Sequence, residues 1–441
     1  MKHFVIRTLG CKVNQCESAA LGHGLEINGY HPASDTGEAD VVIINTCTVT
    51  GRAAMQSRQA VRQAIRKHPQ ATIVVTGCYA QTALDELRAI SGVDLIVGHA
   101  DKSAIPDLLL QNRSRDGARV IHDDIRTARA FASLPWAAPE GRTRTFLKIQ
   151  DGCNGMCTYC IVPYARGRSR SMAAGEVMQH LERLHLNGYR EVVLTGIHLG
   201  AYGADLTPPS TLADLIGRIA DESAVRRIRL SSIEPTEVDD RIIRRMEAGS
   251  LCPHWHIPLQ SGDDGILSRM GRPYSCDDYA RIIRSIHARL PRAAIGADVL
   301  VGFPGENDAA FEQTLELIDQ LPLSYLHVFP FSPRKGTPAA GFGDKPREGI
   351  VKIRCDRLRR LGEEKKSHFY HAQVGRPVKV LIECATDAQT KMAKGLSDNY
   401  IPILLQDQGL LPNMIVDARI EKVTPDGRVI ACRFERDALE E

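Results

Sequence analysis

Apolar runs rich in valine and isoleucine alternate with helical stretches over most of the chain, and no other feature limits the fold so sharply. "FVIRTLGC" leads into a helical stretch ending near Gly29, "VVIINTC" into residues 52–68, and "TIVVTGC" into a helix over about 81–91. "VDLIVG" supplies a fourth strand. Strands that are apolar residue after residue are buried on both faces, so this order predicts a parallel sheet covered by helices on both sides. A second series has strand-like runs at 145–150, 191–196, 227–232, 254–259, 295–302 and 325–330. Helical stretches separate them near 174–187, 212–222, 236–247, 277–290 and 308–320. Six strand–helix units predict a partial, TIM-like (β/α)6 barrel.

The alternation fails twice. Residues 127–144 hold two prolines and no sustained period, which reads as a linker. After a basic helical stretch over 347–371, the pattern changes to period two in "VKVLIE", "IPILLQ" and "IVDARIEKV", with a turn at "TPDGRV" before "IACRF". That predicts a small antiparallel β-barrel. The expected organisation is α/β throughout its first two domains: 1–126, a linker over 127–144, a barrel over 145–371 and a β-domain over 372–437.

The formal net charge is only +3, so any anion site must be local. No run approaches the roughly 20 apolar residues of a membrane helix. "MKHFVIRTLG" lacks the charged leader and apolar core of a secretory signal. A cytoplasmic protein with no membrane partner is expected, and there its 12 cysteines are thiols or metal ligands rather than disulfides.

Two groups of three cysteines stand out. Cys153, Cys157 and Cys160 form C-x3-C-x2-C directly after a strand. Three soft thiolates suit zinc or an iron–sulfur cluster. Zinc wants a fourth ligand at a second short spacing. The next histidine, His180, falls in a helix, so zinc is disfavoured and a [4Fe–4S] cluster with one iron open is the alternative. Cys11, Cys47 and Cys78 are far apart, yet each ends its own strand. In a parallel sheet those ends share one edge, where ligands bind. One such cysteine is ordinarily a buried thiol; three at one topological position point to a shared ligand. Cys16, Cys252, Cys276, Cys355, Cys384 and Cys432 share no spacing and read as structural thiols.

"TLGCKVNQ", "NTCTVT" and "GCYAQ", followed by "GCNGMCTYCIVPYARGRSRS", resemble the methylthiotransferases of the radical S-adenosylmethionine (SAM) superfamily. The resemblance spans the whole chain, with a C-terminal TRAM domain. "GCKVNQ" and "YARGRSRS" are most similar to the branch acting on N6-threonylcarbamoyladenosine (t6A) at position 37 of tRNA. It implies two [4Fe–4S] clusters, an auxiliary one on Cys11, Cys47 and Cys78 and a catalytic one on Cys153, Cys157 and Cys160. It also implies two molecules of SAM per turnover, a 5′-deoxyadenosyl radical, methylthiolation of adenine C2, and an electron donor such as a flavodoxin or ferredoxin. Nothing in the sequence requires an oligomer. Within the family, isopentenyladenosine-37 or a ribosomal-protein side chain are alternative substrates; a zinc-containing RNA-binding protein is the alternative without catalysis.

Further candidates follow from strand ends. Tyr159 precedes the last clustered cysteine, Thr195 and Gly196 end "EVVLTG", Glu234 follows "LSSI", Gln260 ends "HIPLQ" and Asp298 lies in "GADVLVGFPGE". Each is a SAM-contact candidate or a plain cap or turn residue. Arg272, in "MGRPY", is a candidate for the SAM carboxylate, since guanidinium pairs with carboxylate bidentately. Arg166, Arg168 and Arg170, close behind the cysteines, are expected to meet phosphates of the anticodon loop, with Arg142, Arg144 and the basic helix extending the track. Lys391 and Lys394 are the candidate RNA contacts of the C-terminal domain.

Overall fold

A computed structural model describes residues 1–34, 37–111, 117–133, 143–407 and 409–434. Half of the expected linker, residues 134–142 with Arg142, lies outside the described residues. The N-terminal domain holds a parallel sheet in the order Tyr30–Pro32, Lys2–Thr8, Val41–Thr46, Thr72–Gly77, Leu95–Val97, Arg119–Ile121. Alternate residues of these strands enter different cores: Val42, Ile44 and Val75 pack on one face, Val41, Ile43 and Val74 on the other. This two-sided burial is what the unbroken apolar runs encode. The two edge strands of three residues are additions to the four expected, and the helix expected over 81–91 is instead two short helices, Cys78–Thr82 and Leu84–Arg88.

Six parallel strands follow in chain order: Arg144–Lys148, Glu191–Thr195, Arg227–Leu230, His254–His256, Ala294–Val301 and Tyr325–Pro330. They pair as two sets of three. Cys252 N donating to Ile228 O at 2.8 Å and Ile233 N to His256 O at 3.0 Å join the sets into one curved layer. Helices cover its outside, including Asp264–Met270, which lacks a sequence signal long enough to register. Among the described residues no ladder joins the first strand to the last, so the barrel keeps an open seam.

Helix Glu348–His371 leads to a closed five-stranded barrel, Pro377–Thr386, Ala393–Ser397, Pro402–Leu405, Val429–Arg433 and Ile415–Val423. Val378, Val380 and Ile382 point into its core with period two. It docks on the amino ends of the six parallel strands. Arg227 and Arg229, both paired with buried Glu191, donate to the carbonyls of Lys379, Leu396, Ser397 and Asp398. Tyr400 packs on His254 with ring centres 4.2 Å apart and planes tilted by 32°. No described helix is long and apolar enough to cross a membrane.

Candidate functional site: two thiol triads at the carboxyl ends of two sheets

Cys11, Cys47 and Cys78 follow three neighbouring strands of the N-terminal sheet, since Lys2–Thr8 pairs with Val41–Thr46 and that with Thr72–Gly77. Short polar bridges lace these strand ends together. Asn14 Nδ2 donates to Leu9 O at 2.7 Å and Thr46 O at 3.0 Å, and Thr46 Oγ1 donates to Thr76 O at 2.5 Å. Ser57 brackets Cys47, accepting from its N–H and donating to its carbonyl. Burial raises the Cys47 thiol and pushes Cys78 up to about 12. Thiols of that kind are poor nucleophiles, because the reactive form is the thiolate. A metal that displaces the proton is the chemistry open to them.

The second triad lies on a loop at the carboxyl end of the barrel's first strand. Gly152 opens it at φ +74°, where a side chain would come within 1.9 Å of Arg168 O. Only glycine fits that turn. Cys153 N donates to Gly167 O at 3.0 Å, and Thr158 N to Met270 O at 2.9 Å, so the loop is anchored on both sides. Cys153, Cys157 and Cys160 are all half-buried, and burial pushes Cys160 up to about 12.

Several expected SAM contacts gather around this loop. Arg272 Nη1 donates to Cys157 Sγ at 3.2 Å, and the same guanidinium pairs with Glu234. Tyr159 packs edge-on against Phe303, with ring centres 6.4 Å apart. Thr195 is buried at the end of its strand, and Gly196 lies so close to Gln150 that a Cβ there would approach Gln150 Oε1 to 2.8 Å. Gln260, at φ +70°, donates from its N–H to Asp298 O at 2.9 Å. Burial opposes ionisation of Asp298, yet His256 Nε2 at 2.8 Å and His327 Nδ1 at 3.2 Å hold its carboxyl well below the usual range.

Other residues escaped the sequence reading. His198 Nδ1 lies 3.3 Å from Cys153 Sγ, and its Nε2 lies 2.8 Å from Glu237. Asn14, three residues after Cys11, was also missed; it donates to Thr46 O, 32 residues away.

Two expected RNA contacts must be corrected. Arg166 is 1% exposed, and Arg170 is also buried. Arg166 donates to Glu17 and Asp151 at 2.9 Å and to Asn14 at 2.5 Å. Arg170 donates to the Arg166 carbonyl at 2.9 Å and lies 4.0 Å from Asp151. Buried carboxylates, Glu17 of the N-terminal domain and Asp151 of the barrel, hold these arginines inside, because an unpaired buried charge is too costly. Arg168 alone of the three is exposed. Arg144 pairs with Glu383 of the C-terminal barrel at 3.0 Å. Lys391 is exposed and Lys394 lies 3.9 Å from Asp387, both on the domain at the far end of the barrel from the cysteines. His180 sits beside Glu176 on its own helix.

The triads belong to elements that touch. The helix beginning at Cys78 packs on helix Val162–Arg166, which follows Cys160. The N-terminal domain also reaches the loop after the barrel's last strand, where Ser332 Oγ accepts from Gly51 N at 2.8 Å. It thus straddles the seam at the mouth. Two buried nitrogens here, Arg166 Nε and Arg170 Nη1, have no hydrogen-bond partner among the described residues. Orphaned donors beside three thiols fit an anionic, thiolate-bound group.

Residues 3–98 match the uncharacterized protein family UPF0004, and residues 147–318 match the radical SAM superfamily. The chain is 38% identical over 428 residues to the threonylcarbamoyladenosine tRNA methylthiotransferase MtaB of Bacillus subtilis, over 96% of this chain and 94% of that protein. It is 36% identical over 397 residues to the protein of the same description from Aquifex aeolicus, over 90% and 95%. Among solved structures, the radical SAM methyltransferase TsrM from Kitasatospora setae superposes with a TM-score of 0.56 at 16% identity, over 77% of each chain. That likeness is one of fold.

Proposed function

The chain belongs to the threonylcarbamoyladenosine tRNA methylthiotransferase MtaB family of radical SAM enzymes, and from that premise we propose that it converts t6A at position 37 of tRNA to its 2-methylthio derivative. The observation that carries the proposal is the pair of thiol triads carried by elements that touch across a domain contact, each one ligand short of closing a four-iron cluster. Cys153, Cys157 and Cys160 hold the catalytic [4Fe–4S] cluster, and Cys11, Cys47 and Cys78 the auxiliary one. With SAM bound, such clusters would supply radical chemistry at the first site and sulfur-transfer chemistry at the second, which would account for two SAM per product.

The protein's own residues bind, orient and exclude water. Arg272 meets the SAM carboxylate in exchange for its pairing with Glu234. Tyr159, Thr195, Gly196, Glu234, Gln260 and Asp298 line the wall against which ribose and adenine lie, Asp298 kept ionised by two imidazoles. Exposed Arg168 meets RNA phosphate near the mouth, and Lys391 and Lys394 meet it on the C-terminal domain. A flavodoxin- or ferredoxin-class donor supplies electrons, no membrane or second subunit is needed, and the enzyme works in the cytoplasm beside its tRNA.

The test is iron and sulfide content after anaerobic reconstitution, followed by incubation with SAM, reductant and tRNA carrying either t6A or isopentenyladenosine. About eight irons, the total for two four-iron clusters, and product on t6A alone are expected. Product on isopentenyladenosine alone would overturn the substrate; zinc in place of iron would overturn the chemistry.

A further inference from the structure

Arg166 is carried by the cysteine loop of the barrel, six residues after Cys160, yet most of its partners belong to the other domain. Its guanidinium donates to Glu17 and to Asn14, the residue that laces together the strand ends bearing Cys11 and Cys47. On the barrel side it donates to Asp151, two residues before Cys153. Cys78 and Cys11 lie within reach of its charge.

The surrounding charges do not balance. Lys102 donates to Glu17 at 2.5 Å, and Lys148 lies 3.2 Å from Glu17 and 3.1 Å from Asp151. With Arg166 and Arg170, three buried cations and the half-buried Lys148 therefore meet two carboxylates. His99, in the same nest, is kept neutral by burial and by these cations. Excess buried positive charge is costly unless an anion compensates it. The thiols of Cys78 and Cys11 lie within reach of these cations and become anionic when they ligate a metal.

We propose that Arg166 is a positioning residue for the N-terminal triad, its guanidinium balancing the charge of an anionic cluster on Cys11, Cys47 and Cys78 and fixing that cluster opposite the catalytic loop. The inference rests on the two-cluster reading above. A positive charge beside an iron–sulfur cluster favours its reduced form, so charge and hydrogen bonding set its potential.

The test uses the full chain with Cys153, Cys157 and Cys160 replaced by Ala, so that only the N-terminal triad can hold iron, and follows the midpoint potential by EPR-monitored titration. Arg166→Gln should lower the potential and Glu17→Gln should raise it, while Arg166→Lys, which keeps the charge, stays near the parent. The opposite signs separate a charge effect from loosened packing, and Glu17→Gln with Arg166→Lys carry the test if Arg166→Gln does not fold. In the chain with all six cysteines, Arg166→Lys should raise 5′-deoxyadenosine released per methylthiolated product about tenfold, the order expected for one charge-assisted hydrogen bond. Iron bound with potentials that do not move, or that move the same way in both Gln variants, overturns this inference alone. No iron in the parent overturns the two-cluster reading and the inference with it.

Discussion

Arg334, on the loop after the barrel's last strand, donates to Thr48 Oγ1 at 2.7 Å, and Thr48 is the residue next to Cys47. The contact crosses the seam from the side opposite Arg166, so the N-terminal triad is held from both barrel edges. Arg334→Ala removes one such hold. Losing a single hydrogen bond of about 1 kcal/mol should leave iron content intact and raise abortive SAM cleavage several-fold, read as 5′-deoxyadenosine against modified tRNA.

The two triads should fail differently. Cys157→Ala is expected to abolish SAM cleavage while keeping about four irons on the N-terminal triad. Cys47→Ala is expected to keep SAM cleavage and lose methylthiolation. Full product from either variant would remove that cysteine from its proposed role.

Gly77 sits at φ +96°, and a Cβ there would stand 2.5 Å from Thr46 O. Gly77→Ala must therefore push apart the strands that end at Cys47 and Cys78. A cost of about 2 kcal/mol or more is expected, with iron lost from the N-terminal triad before the barrel unfolds. Thermal melting and metal analysis on one sample follow both.

The floor of the barrel gives a pH prediction. Burial works against ionisation of Glu191, but Arg229 and Arg227 hold its carboxyl down to about 2, against an ordinary value of 4.5. Its folded-state value is depressed, so its contribution is whole above pH 4.5 and is lost as pH falls towards 2. Glu191→Gln, which leaves two guanidinium groups without their carboxylate, should cost about 3 kcal/mol at neutral pH. It should also flatten acid destabilisation across that window, measured by denaturant melts at stepped pH. An unchanged acid profile would assign the sensitivity to other carboxylates.

Arg168→Glu should weaken tRNA binding and reduce its salt dependence by about one unit of slope, with iron content and SAM cleavage unaffected. The same change at Arg166 should instead destabilise the fold, which separates the exposed arginine from its buried neighbour.

The parts that could be read from sequence are those whose signal is local. Parallel strands such as "VVIINT" are apolar throughout because both faces are covered, and period two in "VKVLIE" follows from a barrel with one wet face. The edge strands Tyr30–Pro32 and Arg119–Ile121 are too short to leave a run, and Ala393–Ser397, "AKGLS", carries glycine and lysine where branched residues would announce a strand. Charge was the harder matter. Arg166, Arg168 and Arg170 look alike in sequence, and what divides them is Asp151 beside the first and last and Glu17, 149 residues from Arg166 and on another domain. His198 escaped for the same reason, since Cys153, its neighbour in space, is 45 residues away.

The C-terminal barrel covers the floor of the parallel strands and the cysteines stand at their mouth, so the enzyme carries a built-in ruler. Strand Ala294–Val301 has 8 residues, which at roughly 3.3 Å each makes the wall between the two ends about 25 Å tall. A nucleic acid that offers its base at the mouth while resting on the floor domain must run down the outside of that wall. If Arg168 and Lys391 both meet RNA, as proposed above, the substrate is graded by its reach along that wall as well as by the base it presents.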